Sequence, residues 1–310
     1  MSRKGYRFFQ KPSVVGDQQN GFHQQLAISE CGFHRKEKAF ELKEKFDIIV
    51  LEDQQHYLLE GVIMTEEQKF IFDLKGYLLI PEVLTTSEIT ALKTQIETIR
   101  TDPESLPPHE RRFPGGTASF LIDHPVVMNI LREILGEVRM ESSWFTYRTV
   151  GNGGPPPHGG VRNVNPNFNY QCHDGKIYSA LTRVVFELNE VKAGEGGTLF
   201  LPGSHKANFR IPETHRQTDS PLFETYSCPP GSVIIFTENL CHSGVAWQNP
   251  DRPRIAIFNC YNFVGCQFHK PSVPKHIIEG LPPEKQAYFR NVWVWHQGGP
   301  DNGKNLRYEG

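Results

Sequence analysis

The sequence predicts a mainly β domain with flanking helices, its strands forming an antiparallel sandwich or barrel. Two observations carry this. Up to about residue 137 the chain shows helix-period runs with cap residues. From residue 138 it turns into short β-rich runs with partial alternation, "VRMESSWFTYRTV", "IYSALTRVVFELNEV", "GTLFLPGS", "GSVIIFTENL" and "RPRIAIFNCYNF", separated by Gly, Pro and Asn clusters with no regular helical spacers.

The elements follow in order. Residues 1 to about 30 are polar and aperiodic, and residues 35 to 47, "RKEKAFELKEKFD", predict a short amphipathic helix. Thr65 followed by Glu66 and Glu67 is a helix entry, and "GYLLIPEVL" after that helix reads as a strand. Ser87 opens a second helix with Leu92, Ile96 and Ile99 on one face. Residues 101 to 116 read as a Pro-rich loop, and "HPVVMNILREILG" as a third helix stopped by Gly136. One further helix is expected around "PPEKQAYFRNVW". The expected organisation is an N-terminal extension over 1–45, partly flexible, and a single domain over 46–310.

Composition narrows the function classes. The 310 residues carry a formal net charge of -2, with 38% apolar and 22% charged residues, an ordinary globular balance. Nothing there calls for a nucleic-acid or membrane partner. No run approaches the roughly 20 apolar residues of a membrane span, and the N-terminus lacks a signal-peptide core. The 6 cysteines are scattered without a CxxC pair, so a reducing cytoplasm is the expectation. The expected partner is a small-molecule substrate; oligomeric state is not legible in the sequence.

Four segments of the β half carry candidate chemistry. "GGPPPHGG" brackets His158 with prolines that fix φ and glycines that let another group come close, which fits a metal ligand beside open space and equally fits a plain loop. "AGEGGTLFLPGSHK" is the second. In "GSVIIFTENLCHSG" an apolar strand runs into polar residues and then His242, a metal ligand or a turn cap. In "DRPRIAIFNCYN", Arg254, Ala256 and Phe258 share a face by period two, and an arginine pointing into an apolar interior needs an anion, most naturally a carboxylate. Arg252 has the same parity and competes for that role.

Together, "GEGGTLFLPGSHK", "GSVIIFTENLCHSG" and "RPRIAIFNCY" resemble the phytanoyl-CoA dioxygenase family of Fe(II)/2-oxoglutarate-dependent oxygenases. "FDLKGYLLIPEVLTTSEITALK" looks like the family's opening, so the resemblance covers roughly residues 65 to 265. It implies a double-stranded β-helix, the jelly roll or cupin-like fold. It also implies His158 and His242 as iron ligands, Arg254 as the clamp on the far carboxylate of 2-oxoglutarate, O2 as oxidant and a structural His205.

The departure from the family pattern lies at Gly160, where the His-x-Asp motif would place its carboxylate. Three readings follow. A carboxylate from elsewhere (Asp174 in "QCHDGK" or Glu238 in "TENLCH") or water completes the site, and the enzyme hydroxylates. Alternatively Gly160 leaves room for chloride, as in the iron/2-oxoglutarate halogenases that His-x-Gly is similar to. Or the domain is a non-catalytic jelly-roll binding protein. In the long loop over 161–175, Arg162 and His173 are candidates to meet an anionic group of the substrate, and the loop equally fits a surface lid with no role in specificity.

Overall fold

The computed structural model describes residues 64–160 and 165–292. All of them fall within one compact unit, Leu51–Gly310. The expected extension over 1–45, the helix over 35–47 and Arg162 lie outside the described residues.

The helices begin and end where side chains satisfy their open backbone groups. Helix α1 (Glu66–Lys75) starts on a reciprocal capping box: Thr65 Oγ1 accepts from Gln68 N at 3.1 Å, and Gln68 Oε1 accepts from Thr65 N at 3.0 Å. It ends at Gly76, whose φ of 83° no β-carbon residue adopts cheaply. Helix α2 (Thr86–Thr101) begins slightly earlier than its apolar stripe suggested, because Thr85 and Glu88 form a second capping box. Helix α3 (Pro125–Leu135) opens with proline and stops at Gly136. Two short helices, α4 (Lys275–Glu279) and α5 (Pro283–Gln286), close the described chain.

Among the described residues nine strands carry the rest: β1 (Tyr77–Ile80), β2 (Val138–Arg148), β3 (Gln171–His173), β4 (Lys176–Tyr178), β5 (Thr182–Glu187), β6 (Thr198–Leu201), β7 (Ser232–Thr237), β8 (Cys241–Gly244) and β9 (Arg254–Phe263). The main sheet has the order β1-β7-β5-β9-β2 and is antiparallel throughout. A smaller sheet pairs β6 with β8, and β3 with β4 form a hairpin.

The central strands are apolar on both faces because each faces a different partner. Along β9, Ile255 and Ile257 pack with the helices (Phe72, Leu92, Ile96, Leu131), while Ala256 and Phe258 pack inward with Phe200, Tyr226, Phe236 and Trp247. Strand β7 divides likewise, Val233 and Ile235 outward, Ile234 and Phe236 inward. Phe200 of the small sheet stacks on Tyr77 at 4.5 Å between ring centroids and meets Phe236 edge-on at 5.1 Å, locking the two sheets face to face. This is the double-stranded β-helix with flanking helices that the resemblance implied. Among the described residues no helix is long and apolar enough to cross a membrane.

Candidate metal centre and anion pocket

The segment 153–160 lies along the free edge of β8. His158 N donates to His242 O at 3.0 Å and His242 N to His158 O at 2.9 Å; Gly154 N and Gly160 N bond to Gly244 O and Asn239 O, both at 2.7 Å. The three prolines, which have no N–H, fall between the ladder donors Gly154 and His158. His242 sits inside β8, rather than past a strand end as its polar surroundings suggested, and pairs with Phe200 of β6 on its other side.

Both imidazoles are oriented by their own backbone. Nδ1 of His158 donates to Pro156 O at 2.8 Å and Nδ1 of His242 to Leu240 O at 2.7 Å. A carbonyl only accepts, so each Nδ1 carries a proton, and Nε2 is the nitrogen not engaged by that bond. The rings are 4.1 Å apart between centroids. Burial, together with the neighbouring His158, brings the His242 pKa down to about 4 even though Glu238 opposes the shift, so the ring is neutral at pH 7.

Glu238 completes the group: one ligand atom each from His158, Glu238 and His242 lie within 4.8 Å of one another. Burial works to raise the Glu238 pKa, but Arg183 beside it holds the carboxyl below its ordinary value. Arg183 grips both oxygens, Nε on Oε2 and Nη2 on Oε1 at 3.1 Å. It is itself held by Cys260 Sγ at 2.9 Å from Nη1 and by the Trp144 ring 5.0 Å from its carbon. Trp144 stacks on Phe258 with a 4° interplanar angle.

Asp174, the other carboxylate considered, is not part of this group. It is exposed in the β3–β4 turn, where Asp174 and Gly175 have φ of 51° and 73°. Two successive positive φ values make the tight hairpin turn that Asp-Gly favours, so its role is local. His173 lies exposed in the same hairpin with Nε2 on Gln171 Oε1 at 3.1 Å.

Gly160 does not border open space. Its φ is +65°, and a β-carbon there would come within 2.5 Å of Ile211 Cδ1 and 2.9 Å of Cys241 Cβ. Gly159 has φ +77°, and a β-carbon there would come within 2.6 Å of Leu240 O. The glycine pair turns the chain tightly against the β7–β8 connection.

Arg254 points inward, as its parity required, and is completely buried. Its anion is one the sequence reading missed: Glu187 of β5, also fully buried, accepts from Arg254 Nη2 at 2.5 Å and from Nε at 3.2 Å. Tyr226 OH and Thr198 Oγ1 lie 2.9 and 3.2 Å from the same Nη2. Arg254 Nη1 has no partner. Directly across the β2–β9 ladder stands Arg148, whose buried Nη1 is also unpartnered, and one step along the same face is Thr146, with an unpartnered Oγ1. Gly154 and Gly244 make room for Arg148: β-carbons there would meet its nitrogens at 2.6 and 2.8 Å. Three orphaned polar atoms on one face of β2 and β9 mark a candidate anion site, since buried polar groups are otherwise satisfied. The signal was present in "WFTYR", where Thr146 and Arg148 share a period-two face with Trp144.

Arg252 is elsewhere engaged, with Nη2 on Glu195 Oε2 at 2.6 Å and Nε on Glu190 O at 3.2 Å. His205 packs under α1, its Nε2 on Asp73 O at 3.0 Å and its ring edge-on to Tyr170.

The model of the phytanoyl-CoA dioxygenase (PhyH) family matches residues 72–256. The chain belongs to this family. It is thereby an enzyme of the iron- and 2-oxoglutarate-dependent oxygenase class. Solved structures similar to the chain include iron-bound HygX from Streptomyces hygroscopicus, 20% identical, TM-score 0.55, spanning 65% of this chain and 88% of that one. HygX with nickel, 2-oxoglutarate and hygromycin B bound is 21% identical, TM-score 0.54, covering 64% and 88%. EctD from S. alaskensis with 2-oxoglutarate and 5-hydroxyectoine is 20% identical, TM-score 0.48, covering 67% and 79%. No curated protein sequence matches the chain.

Proposed function

We propose that the protein hydroxylates a C–H bond of a small molecule, with His158, Glu238 and His242 holding Fe(II). The observation that carries this is the convergence of one nitrogen from each of two imidazoles and one carboxylate oxygen within 4.8 Å. Two histidines and one carboxylate are the donor set of non-haem iron oxygenases, and the carboxylate comes from four residues before the distal histidine instead of two after the first. The backbone carbonyls on both Nδ1 atoms fix the tautomer a metal needs. Bound there, the iron would supply chemistry no side chain can: it couples O2 and the decarboxylation of 2-oxoglutarate to succinate and CO2 with insertion of one oxygen atom into the substrate.

The chain's own part is binding and orientation. Arg254 Nη1, Arg148 Nη1 and Thr146 Oγ1 suit one carboxylate end of 2-oxoglutarate. Arg183 keeps Glu238 ionised and fixed in direction. Trp144, stacked on Phe258, lies against the Arg183 guanidinium and helps hold it in place. The fold neighbour HygX was solved with hygromycin B, which supports a small molecule as the substrate class. The chloride reading rested on a vacancy at Gly160, and the closeness of Ile211 and Cys241 to a β-carbon at that position supports hydroxylation instead. A purely binding jelly roll gives no reason for the metal-ligand group and the anion pocket to occur together.

The test is anaerobic titration of the purified protein with Fe(II) and then 2-oxoglutarate. A visible charge-transfer band that His158→Ala and His242→Ala both abolish is the expected result. Metal binding indifferent to both histidines would overturn the proposal.

A further inference from the structure

Glu187 has no place in the reading above, yet it is among the most completely buried charges of the described residues. Its carboxylate holds one whole edge of Arg254, through Nε and Nη2, and also accepts from Tyr226 OH at 2.6 Å. On the strand ladder Glu187 lies beside Ala256, one step from Arg254 and on the same inward face as Thr146. The proposed anion pocket therefore has two guanidiniums, of which Arg254 is already paired with a carboxylate of the chain.

We propose that Glu187 is a built-in competitor for the co-substrate carboxylate and sets its affinity. The inference rests on the pocket assignment under Proposed function. An arginine offers a carboxylate its best contact as a two-pronged fork. Here Glu187 has taken the fork, and the incoming carboxylate is left with Nη1 alone. It must also come to rest on the same guanidinium as a second carboxylate, and two like charges a few ångströms apart in a dry site repel strongly. Glu187 cannot swing aside to relieve this. Away from Arg254 it would keep only Tyr226 OH and become a buried, uncompensated charge. The arrangement compensates the buried charge of Arg254 in the unliganded protein, and costs affinity for the anion that the pocket receives.

Glu187→Gln tests this, because it preserves shape and a carbonyl acceptor for Arg254 while removing one negative charge. Affinity for 2-oxoglutarate is measured by calorimetry on Ni(II)-loaded protein, alongside the melting temperature of the unliganded protein. The expected result is binding at least about tenfold tighter, together with a lower melting temperature before ligand is added. A residue with a merely structural role would lower the melting temperature and leave binding unchanged or weaker. Should Glu187→Gln fail to fold, Glu187→Asp retains the balancing charge, draws it back by one methylene, and should shift affinity in the same direction by less. Unchanged or weaker binding in the folded variant, with measurable binding to the wild type, overturns the role of Glu187 and leaves the pocket assignment standing. No binding to any of these proteins at millimolar 2-oxoglutarate overturns the pocket assignment and this inference with it.

Discussion

His158 and His242 are hydrogen-bonded to each other through both of their backbone groups, N to O at 3.0 and 2.9 Å. Two residues exchanging both bonds form one closed rung of an antiparallel ladder. Their rings therefore emerge side by side, 4.1 Å apart, from chain segments 84 residues apart in sequence (242 minus 158). A shift of one residue in either segment would turn one ring to the opposite face, so the metal site depends on the register of this single rung.

Glu238 is the carboxylate expected to matter for the metal. Glu238→Ala should weaken Ni(II) or Fe(II) binding by more than the roughly 10–100-fold that a supporting group is worth. Arg183→Lys, which keeps the charge but cannot grip both oxygens, should fall within that range. Asp174→Ala should leave metal affinity unchanged. Competition titration against a chelator reads all three, and a large loss in Asp174→Ala would reverse the assignment.

Arg148→Ala should raise the 2-oxoglutarate Kd by at least about tenfold, since hydrogen bonds to charged groups contribute about 1.5–3 kcal/mol. Arg252→Ala should leave it unchanged, because Arg252 is spent on Glu195 and Glu190. Calorimetry on the Ni(II) form separates these. An effect confined to Arg252 would move the anion pocket to the 249–253 turn.

Gly160→Asp should destabilise the fold instead of supplying a ligand. Its positive φ alone costs about 1–3 kcal/mol, and contact with Ile211 and Cys241 adds to it. Urea denaturation measures this. A variant of wild-type stability with tighter metal binding would show that a carboxylate has room there and would restore the chloride reading. Chloride should leave 2-oxoglutarate turnover by the wild type unchanged.

His205 should give the protein an acid-sensitive component. Burial brings its pKa down from 6.5 to about 4, so the unfolded chain takes up the proton first. Its contribution is complete above pH 6.5, declines as the pH falls, and is gone below about 4. The total is roughly 3 kcal/mol, at 1.36 kcal/mol per unit. The difference in unfolding free energy between wild type and His205→Asn should narrow over that interval. A difference constant with pH would mean that His205 charges equally in both states.

Much of the local structure was legible in the chain. Thr65 as a cap, Gly136 as a stop, the period-two faces of β7 and β9, and His158 with His242 as candidates all depend on residues close in sequence, where geometry repeats. Two features misled. Gly160 reads as empty space in a string of letters, but its neighbours Ile211 and Cys241 arrive through the fold. Asp174 and Glu238 are equally plausible carboxylates in sequence; one falls in a hairpin turn and the other beside the rung that holds the histidines.

The sequence by itself determined which segments become strands, which faces are apolar, and that an inward arginine at 254 must meet an anion. Only the tertiary structure decided which anion that is, and which carboxylate joins the two histidines. Glu187 reaches Arg254 across 67 residues and Arg183 reaches Glu238 across 55. Such pairs are created by strand order and register, β7-β5-β9-β2, and register is a property of the packed sheet, because burial of every inward side chain selects it at once.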